Sequence, residues 1–78
     1  MNTIKTNNPK VMVKFTANGG DENDITVTAT ELNTDNGFYE YWFTVGQGYK
    51  SMKTAKRAAV RVMAKYGYMF NAKQLERL

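Results

Sequence analysis

Apolar and polar residues alternate through the first half of the chain and recur at steps of three and four in the second. Val11, Val13 and Phe15 are separated by Met12 and Lys14, the period-two pattern of a strand with one buried face. Asn18-Gly19-Gly20-Asp21 then interrupts the pattern with turn formers. Ile25, Val27 and Ala29 alternate with Thr26, Thr28 and Thr30, which predicts a second strand whose threonine face meets solvent. The Asn36-Gly37 pair tolerates positive φ and marks a hairpin, after which residues 38–45 read as a third strand. Gly46-Gln47-Gly48 is expected to end the sheet pattern. Because no connection is long enough for a crossover, the strands should form an antiparallel meander over residues 10–46, preceded by a polar arm, residues 1–9.

The helical signal begins at Ser51, whose hydroxyl can accept from the free amides of a helix starting near Met52. Met52, Ala55, Ala58, Ala59, Val62, Met63 and Tyr66 then share one helical face, and Gly67 is placed to end the element. The main helix is thus expected over residues 51–66. Tyr68-Met69-Phe70 is an apolar segment that requires cover, and Asn71 with Gln74 three residues on reads as a capping box opening a short helix over residues 71–78. The fold class expected is α+β: a three-stranded antiparallel β-meander packed against one amphipathic α-helix, with a short C-terminal helical extension. At 78 residues the chain allows a single domain, residues 1–78, with one core.

The strand over residues 38–45 reads Phe-Tyr-Glu-Tyr-Trp-Phe-Thr-Val. Strict alternation puts Tyr39, Tyr41, Phe43 and Val45 on one face and Phe38, Glu40, Trp42 and Thr44 on the other. A single helix covers only one of them. The apolar odd face is expected in the core, with Phe38 and Trp42 beside the threonines or under the 68–70 segment. Left uncovered, Phe38 and Trp42 form a stacking platform for bases or an anchor for a protein interface.

Composition removes most catalytic chemistry. There is no His and no Cys, so the commonest general base, the usual nucleophile activator and the soft metal ligands are missing. Asp21, Glu22 and Asp24 are the only close carboxylates, in a glycine-rich turn that lacks the ligand spacing of a calcium loop. Gly46-Gln47-Gly48 lacks the third glycine and the Gly-Lys-Ser/Thr ending of a phosphate loop. We therefore expect no enzyme, no catalytic or metal-binding residues and no cofactor. The polar start has no secretory apolar run and no stretch has the length of a membrane span, so no membrane partner and a cytoplasmic location are expected.

Charge is distributed unevenly. Residues 1–40 hold three lysines against six carboxylates, net −3, whereas residues 41–78 hold eight Lys and Arg against Glu76 alone, net +7. On the main helix Lys53, Arg57, Val60, Arg61 and Ala64 fall opposite the apolar face, flanked by Lys56 and Lys65, while Lys50 sits beside the helix start. Such a stripe is commonly a solvated face. The small apolar residues within it also suit a covered contact. The candidate binding residues are therefore Lys50, Lys53, Lys56, Arg57, Arg61, Phe38 and Trp42.

The stretch Ser51-Met52-Lys53-Thr54-Ala55-Lys56-Arg57-Ala58-Ala59 resembles the C-terminal helix motif of double-stranded-RNA-binding domains, and residues 11–66 follow the β-β-β-α part of that family in element order. The resemblance implies phosphate contacts from Lys53 and Lys56. Met52 stands where the family usually has another Lys, the family's N-terminal helix has no counterpart, and the acidic loop after the first strand would repel phosphates. In style, a tiny Asn-rich chain with a Tyr-Trp-Phe strand and an Ala-Lys-Arg helix is similar to bacteriophage accessory proteins, anti-CRISPR inhibitors among them. That likeness implies a viral, non-catalytic protein acting in the host cytoplasm, which inhibits or modulates a host nucleic-acid-processing or defence complex by protein contact. The alternative is direct, weakly specific DNA or RNA binding through the basic helix, and a third class is a virion or scaffold component. Any homodimer is expected to use the sheet, since the basic helices repel.

Overall fold

The computed structural model describes residues 2–78. Among these residues the chain forms one antiparallel sheet in sequence order, β1 (Asn2–Lys5), β2 (Val11–Ala17), β3 (Ile25–Asn33) and β4 (Phe38–Tyr49), followed by helices α1 (Met52–Lys65) and α2 (Ala72–Glu76). The α+β class and the antiparallel order are those expected, but the sheet has four strands where three were predicted. The additional strand, β1, lies in the segment read as a polar arm, whose residue 1 falls outside the described residues. Ile4 pairs with Val13 and is buried, while its neighbours Thr3 and Lys5 pair with Lys14 and Met12 on the other face. One inward apolar residue in a four-residue edge strand leaves almost no periodic signal. The 68–70 segment secures the end of β1: Thr6 bridges to Phe70, and Asn7 exchanges hydrogen bonds with Met69, N–H to carbonyl at 2.9 Å and back to Oδ1 at 3.1 Å.

The core joins Ile4, Val11, Val13, Phe15, Ile25, Val27 and Ala29 of the sheet to Ala55, Ala59 and Met63 of α1. Alanines at the contact let the helix settle close over the sheet. Ser51 caps α1, its Oγ accepting from the Thr54 amide at 3.2 Å. At the other end Gly67, at φ +84°, allows Tyr68 N–H to reach the Met63 carbonyl and Gly67 N–H the Ala64 carbonyl, both at 3.0 Å. The predicted cap of α2 is also present, with Asn71 Oδ1 accepting from Lys73 and Gln74 amides. Of the 68–70 segment, Tyr68 and Phe70 pack against the core while Met69 remains exposed.

The largest departure from simple alternation is β4. Its 12 residues run beside the 9 of β3, and the three extra residues are taken up in three register irregularities. Gly46-Gln47-Gly48 therefore continues the strand instead of ending it, with Gly48 at φ +75° and the Tyr49 ring folded over Gly46. A second consequence corrects the face assignment. Ala29 pairs with Phe43 and Thr30 with Tyr41, leaving Trp42 without a partner of its own. Strict alternation breaks there. Phe43 and Val45 pack toward the core as expected, but Tyr39 and Tyr41 lie on the opposite, threonine face.

Candidate functional site

Three surfaces follow from this arrangement. On α1, Lys53, Arg57, Val60, Arg61 and Ala64 are all exposed, and Lys56 is half-buried with its Nζ donating to the Leu78 carbonyl at 3.0 Å. Lys53, Lys56, Arg57 and Arg61 line one shallow concavity of about 440 Å³ together with Val60, itself 42% exposed. Lys53 with Arg57 and Arg57 with Arg61 are i, i+4 pairs of like charge, and Lys53 with Lys56 is an i, i+3 pair. Each such pair disfavours the helix by about 0.2–0.5 kcal/mol. No Asp or Glu occurs between Glu40 and Glu76, so α1 has no carboxylate of its own to offset them. Cations in the first turn also oppose the helix dipole. The acidic β2–β3 loop approaches from outside, where Glu22 and Asn23 line a concavity shared with Ser51 and Met52.

The second surface is aromatic. Trp42 stands edge-on to Phe43, Tyr66 and Tyr68, with ring centroids 4.9, 6.0 and 6.1 Å away, and Phe43 lies 5.0 Å from Tyr66. Trp42 is thus held on the helix side at the free edge of β4, and is 38% exposed. Phe38, 70% exposed, sits at the β3–β4 hairpin four residues earlier, about 13 Å along the strand.

The predicted site residues therefore divide. Lys53, Lys56, Arg57 and Arg61 come together; Lys50 is exposed near the start of α1 but does not line their concavity. Phe38 and Trp42 do not form one platform. Compared with protein-family models, curated proteins and solved structures, the chain has no match. The site is read from its own geometry.

The third surface, missed by alternation, is the outer sheet face. Lys14, Thr26, Thr28, Thr30, Tyr39 and Tyr41 are among the residues lining an open concavity there of about 550 Å³. Its only sequence signals are the threonine run of β3 and the tyrosines of β4. Among the described residues, no group of three or more His, Cys, Asp or Glu side chains is placed to hold a metal ion, and no helix is long and apolar enough to cross a membrane.

Proposed function

We propose that this chain is a small non-catalytic binding protein that docks the cationic face of α1 on an acidic surface of a host nucleic-acid-handling complex and inhibits or modulates it, as an anti-defence factor. The observation that carries this reading is the cluster of Lys53, Lys56, Arg57 and Arg61 that shares one concavity with exposed Val60. Like charges held together on a helix without carboxylate partners are locally unfavourable, and a complementary surface relieves them while covering the valine. The nature of the target rests on the likeness to phage accessory proteins. Protein contact is favoured over direct phosphate binding because the acidic loop adjoins the start of α1. A nucleic-acid backbone extended past Lys53 meets Glu22, whereas a protein surface can present both signs in register.

The test compares wild type with Arg57→Glu/Arg61→Glu in a pull-down from nuclease-treated bacterial lysate, with inhibition then measured on the retained complex. Both arginines are exposed, so the variant should fold as the wild type does, with stability changed by a few tenths of a kcal/mol. The expected result is retention and inhibition by wild type and neither by the variant. Retention that disappears on nuclease treatment, joined to direct duplex binding with a log-log salt slope of about −3.6, the value for four released counterions, would replace this reading with phosphate binding.

A further inference from the structure

The outer face of the sheet lies on the opposite side from α1, and what it carries is independent of the role given to the basic helix. We propose that this face binds a short single-stranded oligonucleotide, with Tyr39 and Tyr41 stacking on successive bases and Lys14, one row beyond Tyr41 in the register, meeting the backbone as it continues across the sheet. Four observations lead there. First, the irregularity at Trp42 turns both tyrosines outward, and Tyr41 remains 67% exposed although it belongs to a sheet face. Second, both rings are tethered at their far ends, Tyr39 through its hydroxyl to the Pro9 carbonyl at 2.6 Å and Tyr41 to Thr44 Oγ1 at 2.9 Å. Rings fixed in this way lose little freedom when a ligand settles on them. Third, residues i and i+2 of a strand stand about 7 Å apart, twice the rise of about 3.4 Å per base in a stacked strand. A single strand stretched so that its bases separate can place one on each ring, which a duplex cannot.

The fourth observation is charge. No carboxylate lines the concavity, Lys14 is inside it, and the register places Lys5 on the same face, opposite Met12. The floor is a hydroxyl array: Thr30 Oγ1 donates to the Met12 carbonyl at 3.0 Å and keeps its acceptor capacity, and Thr26 Oγ1 accepts from Asn18 Nδ2 at 2.8 Å. Aromatic faces, hydroxyls and a weakly cationic surround match the sequence-tolerant stacking mode of single-strand recognition. A neutral oligosaccharide could use the rings and hydroxyls but gives the lysines no ionic partner. The volume of about 550 Å³ accommodates nucleotide-sized ligands.

The experiment is a fluorescence-anisotropy titration with fluorescein-labelled ten-residue oligothymidylate and oligouridylate at several salt concentrations. Saturable binding of either is expected, with a salt slope near −1.4 for contacts by two lysines on a single strand, half the −2.8 that the four cations of α1 would give. Tyr41→Ala should weaken binding by about 5- to 150-fold, the loss of one stacked base, while Tyr41→Phe keeps binding within about threefold because the ring remains. Lys14→Gln is the second variant and should weaken binding and flatten the slope. Arg57→Glu/Arg61→Glu should bind as wild type does. The proposal is overturned if Tyr41→Ala and Lys14→Gln, shown folded by circular dichroism, bind like wild type, or if the α1 variant alone removes binding. Tyr41-dependent binding of cellohexaose without binding of either oligonucleotide would equally overturn it, in favour of a glycan. None of these outcomes alters the protein-docking test on α1.

Discussion

Gly46 offers a quantitative test of how β4 is built, because its substitution should change sign with the residue at position 49. A Cβ added at Gly46 runs into the Tyr49 hydroxyl and comes within 2.7 Å of Cζ and 3.0 Å of Cε2, with no backbone atom among these nearest neighbours. Gly46 itself does not have a positive φ, so the backbone can accept alanine. Freed of the ring, Gly46→Ala should stabilise by about 0.4–1 kcal/mol through the unfolded chain. With Tyr49 present the ring must leave its half-buried position against the core, and overpacking of this kind costs about 1–3 kcal/mol. Tyr49→Leu removes the hydroxyl and the colliding ring carbons but keeps apolar cover. A double-mutant cycle followed by urea unfolding and far-UV circular dichroism should therefore return a coupling of about 1–3 kcal/mol, since the unfolded-chain gain cancels between the two backgrounds. That is a large share of the roughly 4–12 kcal/mol expected for a domain of this length. Equal destabilisation by Gly46→Ala in both backgrounds would refute the argument and assign the cost to the bulged backbone.

Other consequences are simpler to measure. Ser51→Ala removes the acceptor for the Thr54 amide and should cost about 1 kcal/mol in the same unfolding assay; no change would mean that the hydroxyl does not cap α1. Ile4→Ala should cost about 2–5 kcal/mol and abolish amide protection along β1, since Ile4 is buried opposite Val13; a loss below about 1 kcal/mol would show β1 to be a loosely attached arm. Raising salt from about 0.02 to 0.5 M should raise the unfolding midpoint, because screening weakens the like-charge pairs of α1 over distances comparable to the Debye length. A falling midpoint would mean that attraction to the acidic loop outweighs that repulsion.

What could be read from the residues depends on how many of them repeat a signal. α1 was legible because seven apolar positions, a serine cap and a terminal glycine agree, and burial of Ala55, Ala58, Ala59 and Met63 follows that face. The β3–β4 hairpin was legible from Asn36-Gly37, and Gly37 does adopt φ +75°. β1 was not, since Ile4 alone faces inward. The outer face of β4 was misassigned because alternation over Phe38–Val45 presumes a strand without insertions, and the unpaired Trp42 reverses parity on one side of itself. Glycines at 46 and 48 inside an otherwise strand-like run were the available clue to bulging. The cationic concavity was legible because helical spacing alone assembles it; the tyrosine face needed the cross-strand register.

The bulges also bear on self-association. An edge strand invites pairing by another copy in proportion to its length and regularity. β1 offers four residues, and β4 is irregular at three places along its twelve, so neither edge presents a long, flat template. Trp42, which an edge-to-edge dimer would place at its seam, is already packed edge-on against Phe43, Tyr66 and Tyr68 and offers only part of its ring. A homodimer through the sheet would then have to draw on the outer face, where Tyr39, Tyr41 and Lys14 lie. Lys14 and Lys5 of two copies would meet there without a carboxylate between them, which opposes the face-to-face contact and leaves the surface open to an anionic strand.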